Sequence, residues 1–216
     1  MYEIVLFDLD GTLTDPKVGI TLCVQYALKK MGIEEEDPDK LTPFIGPPLL
    51  DSFKEFYHMN NEEAIQAIGY YRERFSVTGL YENQVYSGIR ELLDRLKNQG
   101  KKLIVATSKP TNFSIQILEH FDLKQFFTVI VGSNLDGTRT EKSDVIEFAL
   151  AGENIADLSK VVMIGDRKYD IIGAKKNHID AIAVTYGYGS EQELVAADPK
   201  HIVSSVAELA RILAGK

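Results

Sequence analysis

The chain has 216 residues, which suits one medium domain or a domain with a smaller insert, and it can bury a sizeable core without covalent staples. With 32 acidic and 24 basic residues the net charge is −8, and basic residues run together only in short pairs such as Lys101-Lys102 and Lys175-Lys176. That balance argues against nucleic acid as the main partner. The single cysteine, Cys23, excludes an intramolecular disulfide, and no apolar run reaches the ~18 residues that a spanning helix requires.

The first apolar run, Ile4–Phe7, reads as a short β-strand with no basic leader or cleavage site around it. A soluble, cytoplasmic protein without membrane contact is therefore expected. The run ends in Asp8-Leu9-Asp10-Gly11-Thr12-Leu13. Two carboxylates two residues apart on an extended chain point the same way, and each raises the other's pKa unless a cation sits nearby. Gly11 permits a sharp turn after them. Taken alone, the cluster reads equally well as a solvated acidic turn.

From Asp15 to about Glu82 the pattern is helical with no convincing strand. Val18, Leu22, Tyr26 and Met31 mark one helix, Leu49, Leu50, Phe53 and Phe56 a second, and Ala64 to Phe75 a third. The stiff loop Phe44-Ile45-Gly46-Pro47-Pro48-Leu49 precedes the second. Strand and helix alternate after that block. Ile89, Leu92, Leu93 and Leu96 mark a helix that Gly100 stops, and a strand follows over Leu103–Thr107. The chain continues through Ser108-Lys109-Pro110 into a helix carrying Phe113, Ile117, Leu118 and Phe121. Next come a strand at Phe127–Val131 and a helix opened by Lys142 with Val145, Ile146, Ala149 and Leu150 on one face. A strand at Val161–Ile164 ends in Gly165-Asp166-Arg167-Lys168-Tyr169-Asp170. A last strand, Ala181–Thr185, and a last helix with Val206, Leu209, Ala210 and Leu213 complete the pattern.

This alternation predicts an α/β fold: a doubly wound parallel sheet, Rossmann-like, with a small helical domain inserted after the first strand. The boundaries read as 1–14 and 83–216 for the core and 15–82 for the insert. In such a sheet the site lies beyond the carboxyl ends of the strands, where both acidic clusters fall. Converging carboxylates without His or Cys form a hard oxygen site that suits Mg²⁺. The Thr107 and Ser108 hydroxyls, at a strand end before a helix start, could hold phosphate oxygens. Lys142 opposes its helix dipole, so its placement asks for another partner. Singly, each of these also reads as a cap or a surface residue; Asp166 in particular could simply cap a helix.

Together the elements resemble the haloacid dehalogenase-like hydrolases over nearly the whole chain, on Asp8-Leu9-Asp10-Gly11-Thr12-Leu13, Thr107-Ser108, Lys142, and Gly165-Asp166 with Asp170. The helical insert resembles the α-helical cap of the phosphoglycolate phosphatase-like subgroup. The resemblance implies Asp8 as a nucleophile that becomes an aspartyl phosphate and Asp10 as the acid and base. It implies Mg²⁺ held by the carboxylates of Asp8 and Asp166 and the main-chain carbonyl of Asp10, with Asp170 in support. Ser108, with Thr107 beside it, and Lys142 would bind the phosphoryl group. Lys142 is followed by Ser143 where many relatives have proline, and Lys109 is a second candidate for the phosphate-facing cation. Asp10 argues for phosphatase over dehalogenase, because an alkoxide leaving group needs a proton.

The expected substrate is a small phosphorylated metabolite. Gly46 and Arg72 of the insert are candidate substrate contacts, although the Gly46 loop reads equally well as a plain interhelical turn and Arg72 reads more readily as part of a solvated helix face with Glu73. Leu135-Asp136-Gly137-Thr138-Arg139 resembles the 5′-nucleotidase branch of the superfamily. Phosphoglycolate, a nucleoside monophosphate and a phosphosugar mutase reaction all stay open. So does a non-catalytic phosphoacceptor or binding role of the response-regulator kind. A monomer or weak homodimer is expected.

Overall fold

The computed structural model describes residues 2–153, 155 and 157–215. The chain divides into two compact units, Met1–Asp15 with Val85–Lys216, and Pro16–Gln84.

The larger unit is built on a six-stranded sheet. In chain order its strands are β1 (Ile4–Phe7), β4 (Lys102–Pro110), β5 (Val129–Ser133), β6 (Val161–Gly165), β7 (Asp180–Val184) and β8 (His201–Val203). The short β2 (Thr14–Asp15) and β3 (Gln84–Val85) form a separate two-stranded sheet. The main sheet runs β5-β4-β1-β6-β7-β8, with each recorded neighbour pair parallel. Strand order therefore reverses at β1, and Phe7 stands in register with Val105 on one side and Ile164 on the other. Helices α4 (Ile89–Asn98), α5 (Thr111–His120), α6 (Lys142–Gly152), α7 (Lys168–Lys176), α8 (Glu191–Ala197) and α9 (Val206–Leu213) belong to the same unit.

The strands carry Val and Ile on both faces because both faces are buried. Val5, Leu6 and Phe7 are inaccessible, as are Val161 to Ile164. One side of the core joins Leu6, Ile104, Val131, Met163 and Ala183 to Val145, Ile146 and Ala149 of α6 and Ile171 and Ala174 of α7. The doubly wound architecture expected from the sequence is present, and the five expected strands are all found. The sequence pattern misses the edge strand β8, three residues long and flanked by Lys200 and Ser204. It also ends the second core strand at Thr107, whereas pairing continues to Pro110.

The smaller unit holds α1 (Lys17–Lys30), α2 (Leu49–Tyr57) and α3 (Asn61–Arg74), with a 3₁₀ segment at Pro38–Phe44 and a π turn at Phe75–Gly79. Asn60 and Glu63 exchange hydrogen bonds of 3.0 and 2.8 Å in a capping box that fixes the start of α3. Gly19 passes so close to the Gly79 backbone that a Cβ would overlap the Gly79 carbonyl. Arg74 closes the unit on Glu82 through two hydrogen bonds, 2.6 and 2.9 Å.

Candidate active site

The reversal at β1 leaves a crevice at the carboxyl ends of β1, β4 and β6, and the polar residues of the core collect there. Asp8 follows β1 directly, and its N–H donates to the Ile164 carbonyl of β6 at 2.9 Å, so it enters the crevice in register with the neighbouring strand. The chain then turns within a few residues. Leu13 N–H and Thr14 N–H both donate to the Leu9 carbonyl, and Gly11 N–H donates to the Thr14 carbonyl. Gly11 sits at φ +80°, and a side chain there would overlap the Asp166 carboxylate.

On β6, Gly165 does for Asp170 what Gly11 does for Asp166: a Cβ at Gly165 would occupy the Asp170 carboxyl position. Asp170, in the first turn of α7, accepts the Arg167 N–H on Oδ2 at 3.0 Å and turns Oδ1 toward Lys142. Asp166 is fully buried and caps no helix. Its Oδ2 accepts the Tyr188 N–H at 2.7 Å, and its Oδ1 faces the Thr12 hydroxyl at 3.4 Å.

Asp8, Asp166 and Asp170 each bring an oxygen to within 4.8 Å of the other two, and all three are buried. The Asp10 side chain is not among the three. Lys142, the first residue of α6, answers the dipole question raised by its position. Its ammonium lies 2.8 Å from Asp8 Oδ1 and 2.8 Å from Asp170 Oδ1, and it donates to the Ala106 carbonyl at 3.1 Å. The second lysine is placed differently: Lys109 pairs with Asp10 Oδ2 at 2.7 Å.

Lys109 is brought there by an irregularity in β4. Ala106 pairs with Val131 and Pro110 with Ser133, so four steps along β4 oppose two along β5. Thr107, Ser108 and Lys109 lie in that bulge. Thr107 is buried and its hydroxyl accepts the Lys109 N–H at 3.3 Å, Ser108 is half-buried, and the Ser108 carbonyl accepts the Ser133 hydroxyl at 2.8 Å. Gly46 and Arg72 belong to the helical unit. Gly46 has φ +106° in the loop before α2, and Arg72 is half-buried on α3.

The electrostatics follow from burial. Burial pushes the Asp166 carboxyl well above its ordinary range, and the neighbouring Asp170 and Asp8 carboxylates add to the effect. Burial likewise lifts Asp170 to about 6, against the pull of Lys142. Burial raises Asp10 too, with Lys109 opposing. Burial disfavours the Lys142 ammonium, but Asp170 and then Asp8 outweigh it and hold the group protonated. Three buried carboxyl groups share this one ammonium, so Lys142 alone cannot neutralise the cluster once all three ionise. Asp10 Oδ1 accepts no hydrogen bond from any described residue, and Asp8 Oδ1 and Asp170 Oδ1 have only the Lys142 ion pair. A divalent cation with oxygen ligands fits that donor set and that charge.

The sequence pattern missed the wall that supports Asp166. Tyr186, Gly187, Tyr188 and Gly189 follow β7, and the Tyr186 hydroxyl donates to the Thr12 carbonyl at 3.1 Å. The available signal was two glycines alternating with two tyrosines just past a strand end.

Residues 5–184 match the family model described as haloacid dehalogenase-like hydrolase. A Pseudomonas aeruginosa protein named 5′-nucleotidase is 50% identical over 98% of this chain and 96% of its own length. The tyrosine-protein kinase PtkA of Mycobacterium tuberculosis is 39% identical over 87% of this chain, which spans 63% of that protein. Among solved structures, a predicted phosphatase from Clostridium acetobutylicum superposes with a TM-score of 0.97 at 52% identity, covering 100% of both chains. The chain belongs to the haloacid dehalogenase-like hydrolases, and it is an enzyme of their phosphatase group.

Proposed function

We propose that the protein is a magnesium-dependent phosphatase that hydrolyses a small phosphomonoester through an aspartyl phosphate on Asp8. The observation that carries this reading is the buried cluster of the Asp8, Asp166 and Asp170 carboxyl groups, with Lys142 on two of them.

The carboxylates of Asp8 and Asp166 would hold Mg²⁺, with the Asp10 carbonyl and the support of Asp170, and the family generally uses a divalent metal. When bound, the ion offsets the repulsion between a carboxylate and a phosphate dianion, about 4 kcal/mol per pair of unit charges at 4 Å and an effective dielectric near 20. Asp8 attacks phosphorus, and the ester P–O bond breaks as the Asp8–phosphorus bond forms. Asp10, raised by burial, gives its proton to the departing alkoxide. A water molecule then attacks the phosphoryl group, Asp10 takes the proton back, and the Asp8 carboxylate is released with inorganic phosphate. Lys142 holds Asp8 in place and, with Ser108 and Thr107, binds the phosphoryl oxygens. Gly46 and Arg72 remain candidate substrate contacts carried by the helical unit.

A nucleoside 5′-monophosphate is the favoured substrate within this class. Its support is the 50% identical 5′-nucleotidase of Pseudomonas aeruginosa, whereas the phosphoglycolate phosphatase of Vibrio parahaemolyticus is 22% identical over 98% of this chain. Steady-state phosphate release should be measured for nucleoside 5′-monophosphates, 2-phosphoglycolate, sugar phosphates and p-nitrophenyl phosphate, with Mg²⁺ and with EDTA. Mg²⁺-dependent turnover of any of these supports the reaction class, and the highest kcat/KM for a nucleotide supports the substrate. Absence of metal-dependent turnover on the whole panel overturns both.

A further inference from the structure

The segment after β7 packs directly against Asp166. A Cβ on Gly187 would overlap the Asp166 Cβ and the Gly11 carbonyl, and a Cβ on Gly189 would overlap the Asp166 carbonyl. Between the two glycines, Tyr188 turns its N–H onto Asp166 Oδ2 at 2.7 Å and its side chain the other way. The phenol donates to Asp15 Oδ1, the last residue of the core before the chain leaves it. Burial and Asp15 both raise the phenol's pKa, so it stays protonated and able to donate. Tyr188 also interacts with Tyr86, whose ring meets that of Tyr186 edge-on at 5.0 Å.

We infer that Tyr188 is a positioning residue for the metal site: its phenol, tied to Asp15, holds the Gly187–Gly189 segment so that its backbone N–H fixes one oxygen of Asp166. The inference rests on the magnesium reading above. The physical basis is that a flexible glycine-flanked segment can aim an N–H accurately only if something else anchors it. Here an anchor is the Tyr188–Asp15 contact, made at the turn that also presents Asp8 and Asp10, alongside the Tyr188–Tyr86 interaction and the Tyr186 hydroxyl on the Thr12 carbonyl.

The test is Mg²⁺ affinity, measured by titration calorimetry on EDTA-stripped protein, with thermal unfolding as a check on folding. Tyr188→Phe keeps the ring and removes the donor, and it should weaken Mg²⁺ binding by about ten- to a hundredfold, as outer-sphere substitutions typically do. Asp15→Ala should reproduce that loss, and Asp15→Asn, which keeps an acceptor, should stay near the unsubstituted protein. The double variant Tyr188→Phe with Asp15→Ala should bind no more weakly than either single one, because both remove the same contact. Unchanged affinity in Tyr188→Phe, or additive losses in the double variant, overturns the inference and leaves the magnesium reading standing. Failure of the unsubstituted protein to bind Mg²⁺ overturns the magnesium reading and this inference with it.

Discussion

The Lys109 ammonium lies 2.7 Å from Asp10 Oδ2, with only 6% and 10% of the two side chains exposed. In this buried pair Lys109 pulls the Asp10 carboxyl toward its ionised form while burial pushes it the other way, with burial the larger effect. Lys109→Met removes that pull and leaves the raising effect of burial. The pH–rate profile for kcat is expected to move to higher pH, since Asp10 must ionise to act as base in the second step. Profiles of the two proteins with p-nitrophenyl phosphate check this, and superimposable profiles would separate Lys109 from Asp10 function.

Asp8→Asn keeps the shape of the residue and removes its nucleophilic oxygen. Turnover should fall by about a thousandfold or more, as for other covalent nucleophiles. One carboxylate fewer in the cluster also relieves repulsion, so stability should change by less than about 1 kcal/mol, or roughly 2–4 °C in a chain of this size. Kinetics and thermal unfolding of the same sample test both halves. Activity at a tenth of the starting value would remove Asp8 from its assigned role.

Metal removal should couple to pH with a definite sign. Asp166 and Asp170 have raised pKa values in the folded chain without metal, Asp170 near 6, against ordinary values when unfolded. Between the folded and unfolded values the folded state binds more protons than the unfolded one, so the contribution to stability is present at low pH and is lost as pH rises, for Asp170 through about 6. A bound divalent cation favours the carboxylates and abolishes that loss. The rise in melting temperature on adding Mg²⁺ to EDTA-stripped protein should therefore be larger at pH 8 than at pH 5. Equal rises at both pH values would mean that these carboxylates do not meet the ion.

Gly165→Ala tests the packing at the end of β6 without invoking backbone strain, because Gly165 is not among the residues at positive φ. The added methyl group would coincide with the Asp170 carboxyl, which is buried and held by Lys142 and the Arg167 N–H. A cost of about 1–3 kcal/mol is expected for such overpacking, with a parallel loss of Mg²⁺ affinity. Chemical denaturation and calorimetry read the two effects, and a neutral substitution would show that Asp170 can move freely.

Most of the core was legible in the sequence because one rule recurs: a run of Val and Ile buried on both faces, then Asp, Gly or Ser where the strand ends. Asp8, Asp10 and Asp166 carry that signature, and Asp170 follows in the first turn of the next helix. Lys142 was legible as an oddity, a cation against a helix dipole, and Asp8 and Asp170 are the partners it was missing. The rest was hidden for physical reasons. His201-Ile202-Val203 is too short and too polar at its edges to show alternation. The β4 bulge leaves no compositional trace, so the separate posts of Lys109 and Lys142 could not be told apart. Tyr188 acts through its backbone N–H, and a backbone donor is the same in every residue but proline.

The sheet order has a consequence for synthesis on the ribosome. β1 is made before the other strands of this sheet, yet its neighbours are β4 and β6, and Thr12 meets Asp166, which lies 154 positions later in the chain. A nascent chain that has emerged only as far as β5 can hold Asp8 and Lys109, but nothing that closes the far wall. Asp166 and Asp170 join Asp8 only when β6 and the first turn of α7 have been added, so on the proposed reading a translation product truncated before β6 is expected to be inert rather than partially active.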